Sequence, residues 1–292
     1  MKPRDIFDYL FLTLVWGLSF LVLLKVVHAF GWVGAVTLRA LLAGALLFVI
    51  AVLSRRRLNF SGGWLPLAIV GATTVAGQLV GLSFATPRIG TAMAAIFVAA
   101  VPLFSMLIGQ RWGHEPMTRH GLIGLIVGFM GIVLLVGFPA VEITATFIMG
   151  CVASVFGALC SAFGSNYVSR NLRNTGTWEV TIGSFLIGGA MTLPLLLRVP
   201  IPTQPVPIDY FYLLILGGGM SALSYVLYFR LVTRIGATRA ISVEFAVTVV
   251  AVLAGALVLG ERLSVVQRVG AGTIILGCAL VLGLVPVIRA KK

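Results

Sequence analysis

Long apolar stretches separated by short polar breaks dominate the chain. A helix needs ~20 apolar residues to cross ~30 Å of hydrocarbon. Ten windows meet that length, at approximately 8–27, 34–53, 64–83, 90–109, 121–138, 148–169, 178–197, 209–229, 238–259 and 267–288. Backbone groups in lipid must be satisfied within their own segment, so these windows predict helices; barrel strands would show shorter, alternating segments. The expected breaks fall at Arg55-Arg56-Arg57, Thr86-Pro87-Arg88, His114-Glu115-Pro116 and the proline-rich stretch Pro200 to Pro207. Lys2, Arg4 and a possible Val27-x-Ala29 cleavage site give the start a signal-peptide look. The run is long and carries Lys25 near its end, so it is read as a retained first helix. The expected fold is an all-α membrane protein with ten transmembrane helices.

Composition supports the same class. Of 292 residues 60% are hydrophobic and only 10% charged, against about 25% charged in a soluble domain. So few charged groups cannot cover a soluble surface, which excludes an ordinary cytosolic enzyme and a disordered tail. Cys151, Cys160 and Cys278 all lie inside apolar runs without CxxC spacing or nearby histidines. They read as small buried hydrophobes, not as a disulfide scaffold or metal ligands. No cofactor is expected: Gly217-Gly218-Gly219 lacks the Lys-Ser/Thr of a phosphate loop.

A net charge of +13 would point to nucleic acid in a soluble chain. Here the basic residues sit in the short breaks, so membrane orientation accounts for them and no nucleic-acid partner is expected. With the N-terminus placed in the cytoplasm, outside segments hold only Arg88, Arg198, Arg262 and Arg268. Lys25, Arg39 and Arg239 lie within or at the ends of helices, and all other Lys and Arg fall inside. Both termini are therefore expected in the cytoplasm.

Shifting the chain by 146 residues lays helices three to five on helices eight to ten. Gly71 falls on Gly217, Arg88-Ile89-Gly90 on Arg234-Ile235-Gly236, Gly109 on Gly255, Glu115 on Glu261, and Gly124 on Gly270. The expected units are residues 1–146 and 147–292, five helices each. An odd helix count makes the second copy enter the membrane from the opposite side, and inverted repeats of this kind mark transporters.

Candidate solute contacts are the polar and aromatic groups at helix mid-depth. Trp16 either stacks on an organic solute or fills the core. Ser19 either meets solute or satisfies its own helix. The Gln78 amide suits a carboxylate or an ammonium, or bonds a neighbouring helix. Ser224 is its repeat partner, beside Tyr225 and Tyr228, which lie three apart on one helical face and read as an aromatic wall or a packed interface. Asn166 and Phe97 complete the set of possible lining residues. Pro102 is expected to bend helix four, or to be a tolerated kink. Glu244 is the only carboxylate well inside an apolar run; it couples protons, binds a solute ammonium, or pairs with Arg39, Arg239 or Lys25, the last being favoured. Glu115 and Glu261 are expected to cap and anchor loops.

Trp16-Gly17-x-Ser19-Phe20 followed by Lys25, Arg39, Gly90-x-x-x-Ala94 leading to Pro102, and Gly260-Glu261-Arg262-Leu263-x-x-x-Gln267-x-x-Gly270 resemble the drug/metabolite transporter superfamily, EamA-type. Length and helix order are similar to its YddG-like aromatic amino acid exporters. The first copy departs from the closing motif, with Pro116 where the second has Arg262. The resemblance implies a monomer in the bacterial inner membrane, with a central cavity and peripheral helices five and ten. It also implies secondary export of amino acids or related small metabolites by alternating access. A multidrug or organic-cation exporter is the alternative within transport, and a membrane-embedded enzyme the alternative from another class. The three histidines fall at helix ends or loops and no HExxH or serine-elbow motif occurs, so a catalytic role is not expected.

Overall fold

A computed structural model describes residues 2–60, 62–112, 118–136, 144–202, 204–259 and 264–282. Among them every regular element is helical. In chain order these are α1 Pro3–Leu53, α2 Trp64–Val70, α3 Gln78–Ala99, α4 Val101–Arg111, α5 Arg119–Val136 and α6 Ala145–Asn171. There follow α7 Thr177–Arg198, α8 Pro207–Leu214, α9 Ser224–Ile235, α10 Ala237–Ile241, α11 Val243–Leu259 and α12 Val265–Leu282. Two π-helical segments, Gly71–Gly77 and Ile215–Leu223, join α2 to α3 and α8 to α9.

Among the described residues five stretches are long and apolar enough to cross a membrane: Pro3–Leu53, Trp64–Ile89, Ala145–Asn171, Thr177–Arg198 and Pro207–Ile235. The protein is a multi-pass membrane protein. Its first stretch holds two of the expected helices, because 51 helical residues would run far past ~30 Å of hydrocarbon. Gly31 (φ 71°, ψ 168°) leaves the helical region and divides α1 there, a backbone state that glycine adopts without a steric cost. Gly236 (φ 91°) separates α9 from α10 in the same way.

One expected break is helical. α3 runs through Thr86-Pro87-Arg88 with Pro87 inside it. Pro87 leaves the Ser83 carbonyl without its helical donor, while on either side of it Thr86 Oγ1 donates to the Leu82 carbonyl (2.7 Å) and Arg88 Nη1 to that of Phe84 (2.6 Å).

The burial pattern of α1 is that of a water-soluble helix turned inside out. Phe7, Leu10, Leu14 and Leu18 are exposed, whereas Asp5, Asp8, Thr13, Trp16 and Ser19 are buried. Lipid is as apolar as leucine, so the polar face turns to the protein interior. α1 packs on α7, α11 and the second π segment, and α3 packs on α6. α5 and α12 lie against each other along glycines: a Cβ on Gly277 would stand 2.5 Å from the Gly128 backbone. Around that seam Leu125, Ile132, Leu135, Phe245 and Ile274 form a separate apolar cluster.

Candidate functional site

Trp16 organises the largest aromatic cluster of the interior. Its ring centroid lies 5.2 Å from both Tyr225 and Tyr228, which are 6.0 Å from each other. Phe185 meets Tyr225 edge-on at 4.8 Å. The indole Nε1 donates to Ser224 Oγ (2.9 Å), and Tyr228 shares a 2.6 Å hydrogen bond with Ser165. The three-residue spacing of the two tyrosines on α9 puts both rings on the face turned to α1.

A cavity of about 50 Å³ opens beside this cluster, walled by Trp16, Ser19, Gln78, Arg39, Tyr225 and Glu244 among others. Trp16, Ser19 and Arg39 come from the two parts of α1, Gln78 from the start of α3, Tyr225 from the start of α9 and Glu244 from the first turn of α11. At ~30 Å³ per water it admits one or two waters. A larger solute enters only when the surrounding helices part.

The π segments set two of these walls. Gln78 follows the first π segment directly and Tyr225 comes one residue after the second, and the wider turn re-aims the helix beyond it. Within the second segment Ser221 Oγ donates to the Leu216 carbonyl (2.6 Å) and accepts from Arg39 Nε (2.6 Å). The guanidinium is thereby tied to the segment.

The remaining sequence candidates fall elsewhere. Asn166 donates through Nδ2 to Ser105 O (3.1 Å), Ser105 Oγ (2.9 Å) and Ala162 O (2.9 Å), a junction of α6 with α4 outside the cavity wall. Phe97 packs with Ala85, Ile89 and Phe147. Pro102 sits in the first turn of α4 and not mid-helix, where a missing N–H breaks no helical bond; the expected bend is a helix start. Ser19 lines the cavity but donates to its own helix at Trp16 O (2.8 Å). Glu115 and Glu261 lie outside the described residues.

The favoured ion pair of Glu244 does not form among the described residues, where the ion pairs are Arg230–Asp8 and Arg234–Asp5. Arg239 is exposed. Lys25 donates to the Tyr212 hydroxyl (2.9 Å) and stands over that ring. Arg39 shares the cavity with Glu244 but bonds Ser221.

One polar constellation escaped the sequence reading. Asp8 takes Arg230 in a two-point contact, Nε to Oδ2 at 3.0 Å and Nη2 to Oδ1 at 2.6 Å, and Asp5 takes Arg234 at 3.2 Å. The signal was present as acids three apart on α1 and arginines four apart on α9, each on one helical face. What the sequence does not show is that these faces meet.

The sequence profile of the EamA-like transporter family matches residues 6–137 and again residues 148–283. The chain belongs to this family. Among curated EamA-like relatives it is 28% identical to Protein PecM of Dickeya dadantii, covering 92% of this chain and 89% of that one. An uncharacterized transporter of Archaeoglobus fulgidus is 24% identical (91% and 94% covered). The uncharacterized inner membrane transporter YedA of Escherichia coli K12 is 25% identical (92% and 88% covered). A solved crystal structure superposes with a TM-score of 0.81 over 97% of this chain and 99% of the other at 17% identity, a likeness of fold alone. The family and two of these three relatives carry the name transporter.

Proposed function

We propose that this EamA-like protein is a secondary carrier that exports amino acids, aromatic ones among them, or related small metabolites by alternating access. In this reading it works as a monomer in the bacterial inner membrane with both termini in the cytoplasm. Ten transmembrane helices form two inverted five-helix repeats, residues 1–146 and 147–292.

The observation that carries the reading is the cavity beside Trp16, to which both units contribute. The first supplies Trp16, Ser19, Arg39 and Gln78, and the second supplies Tyr225 and Glu244. A solute site at the junction of two repeats is where a rocking carrier holds its cargo. Adding 146 to Gly71–Gly77 gives 217–223, which falls inside the second π segment, Ile215–Leu223. Leu79 and Tyr225, and likewise Val98 and Glu244, are wall residues related by the same shift. These correspondences support the internal repeat. The aromatic and hydrogen-bonding wall suits a small organic solute, whereas phosphorylated anions call for clustered Arg or Lys.

Purified protein in liposomes preloaded with unlabelled amino acids tests this directly. Uptake of labelled amino acid by counterflow is expected, and no exchange across a panel of the common amino acids overturns the proposal. An organic-cation exporter is the second reading. It is favoured by the aromatic cluster beside Glu244, which has no ion-pair partner among the described residues, and ethidium counterflow without amino acid counterflow would establish it instead.

A further inference from the structure

The cavity wall holds one buried basic and one buried acidic side chain that do not answer each other. Arg39 and Glu244 are each 7% exposed and both line the cavity. Neither takes part in an ion pair among the described residues. Arg39 makes one side-chain hydrogen bond there, from Nε to Ser221 Oγ. This pins the guanidinium and leaves both Nη groups, the ends that grip a carboxylate side-on, without a partner among the described residues. The Glu244 carboxylate accepts no hydrogen bond from a described residue. Beside it in the wall, Gln78 Oε1 is buried and has no hydrogen-bond partner among the described residues.

Burying a charge without a partner costs several kcal/mol, and this protein lines a single cavity with a guanidinium and a carboxyl group that each lack an oppositely charged partner among the described residues. A cationic solute leaves Arg39 unanswered, and an anionic one leaves Glu244. A zwitterion satisfies both at once. We infer that the cavity recognises the two charged ends of an α-amino acid, Arg39 taking the carboxylate and Glu244 the ammonium, with the solute side chain against Trp16 and Tyr225. This deepens the amino acid reading above and rests on it.

The arrangement also sets the solute's direction. Under the 146-residue shift Glu244 corresponds to Val98 and Tyr225 to Leu79, all four in the wall. At these matched positions the second unit therefore supplies a carboxyl group and an aromatic ring where the first has aliphatic side chains. The ammonium end points to α11, and the carboxylate end to the second part of α1. Gln78 Oε1 is a second acceptor for the ammonium.

The test is competition against labelled L-phenylalanine counterflow in liposomes holding the unaltered protein. The competitors are L-phenylalanine, its methyl ester, 2-phenylethylamine and 3-phenylpropionate. Each lost charge is expected to weaken competition about tenfold to a hundredfold, the range of a charge-assisted hydrogen bond. Arg39→Gln is expected to erase the difference between phenylalanine and its methyl ester while keeping that against 3-phenylpropionate. Glu244→Gln is expected to do the reverse, and Arg39→Lys to restore part of the carboxylate preference. Equal competition by phenylalanine, the ester and the amine overturns the assignment, as does a crossed pattern in the two variants. The analogue series on the unaltered protein decides the matter even if a variant fails to fold. Exchange of phenylalanine with no charge preference sinks this inference alone. Absence of exchange for every amino acid sinks the transport reading and this inference together.

Discussion

Trp16→Phe separates the two roles of that side chain, because phenylalanine keeps a ring against Tyr225 and Tyr228 but cannot donate to Ser224 Oγ. One neutral hydrogen bond is worth about 1 kcal/mol. The expected outcome is a threefold to tenfold rise in half-saturation for amino acid counterflow, with a larger rise for Trp16→Ala, where the aromatic contacts go as well. Asn166 is the contrasting residue. Its amide joins α6 to the Ser105 backbone and hydroxyl, and Ser105 also shares a 3.3 Å hydrogen bond with Thr238. Asn166→Ala is therefore expected to destabilise by about 2 kcal/mol, lowering the melting temperature in detergent while the order of preferred solutes stays unchanged. Both residues stand out in the sequence for the same reason, a polar group at mid-helix. Only the fold separates them, since Asn166 spends its donors on α4 and on its own helix and Trp16 lines the cavity. Glu244 shows the same limit: its depth was legible, but its distance from Arg239 and Lys25 was not.

Apolar runs placed the helices because backbone hydrogen bonding in lipid leaves little choice of element. They said nothing about interruptions that keep the run apolar, such as the break at Ala100 or the two π segments. Those segments are where one element must pass close to another. A Cβ on Gly71 would stand 2.7 Å from Ser184 O and 2.9 Å from Gly188 N, both backbone atoms of α7. Gly71→Ala must push the helices apart, and a loss of about 1–3 kcal/mol with slowed counterflow is expected. Gly219, in the second π segment, has nothing within 4 Å of an added Cβ. Gly219→Ala should leave the melting temperature equal or higher, since glycine in a helix is entropically unfavourable. At the other end of α9 the Asp8–Arg230 contact joins it to the start of α1, with Asp8 2% and Arg230 23% exposed at the side chain. Asp8→Asn strands a half-buried arginine, and a loss of about 3 kcal/mol is expected. Pairing it with Arg230→Gln should recover part of that loss in thermal melts, the mark of a direct coupling.

For the molecule as a whole, what matters is whether its two units lie upside down relative to each other. In the proposed architecture Arg88 lies outside and its counterpart Arg234 inside, as charge counting expects and as an odd number of crossings per unit would require. Arg234 is held by Asp5 beside the chain's start, so its side of the membrane is that of the N-terminus. Pro87 and Thr233 are related by the 146-residue shift and flank the two arginines without carrying either charge. Pro87 is exposed and Thr233 half-buried. In a background with Cys151, Cys160 and Cys278 replaced, a membrane-impermeant maleimide applied to intact cells should label Pro87→Cys. Thr233→Cys should react only after the membrane is opened. The second site is less exposed, so reaction of both in opened membranes provides the control that each thiol is reachable. Labelling of both in intact cells, or of neither, would put the two arginines on one face, and parallel units cannot trade conformations to pass a solute from one side to the other. The shared cavity between Trp16 and Glu244 would then be a packing feature of the bundle and not the turning point of a carrier.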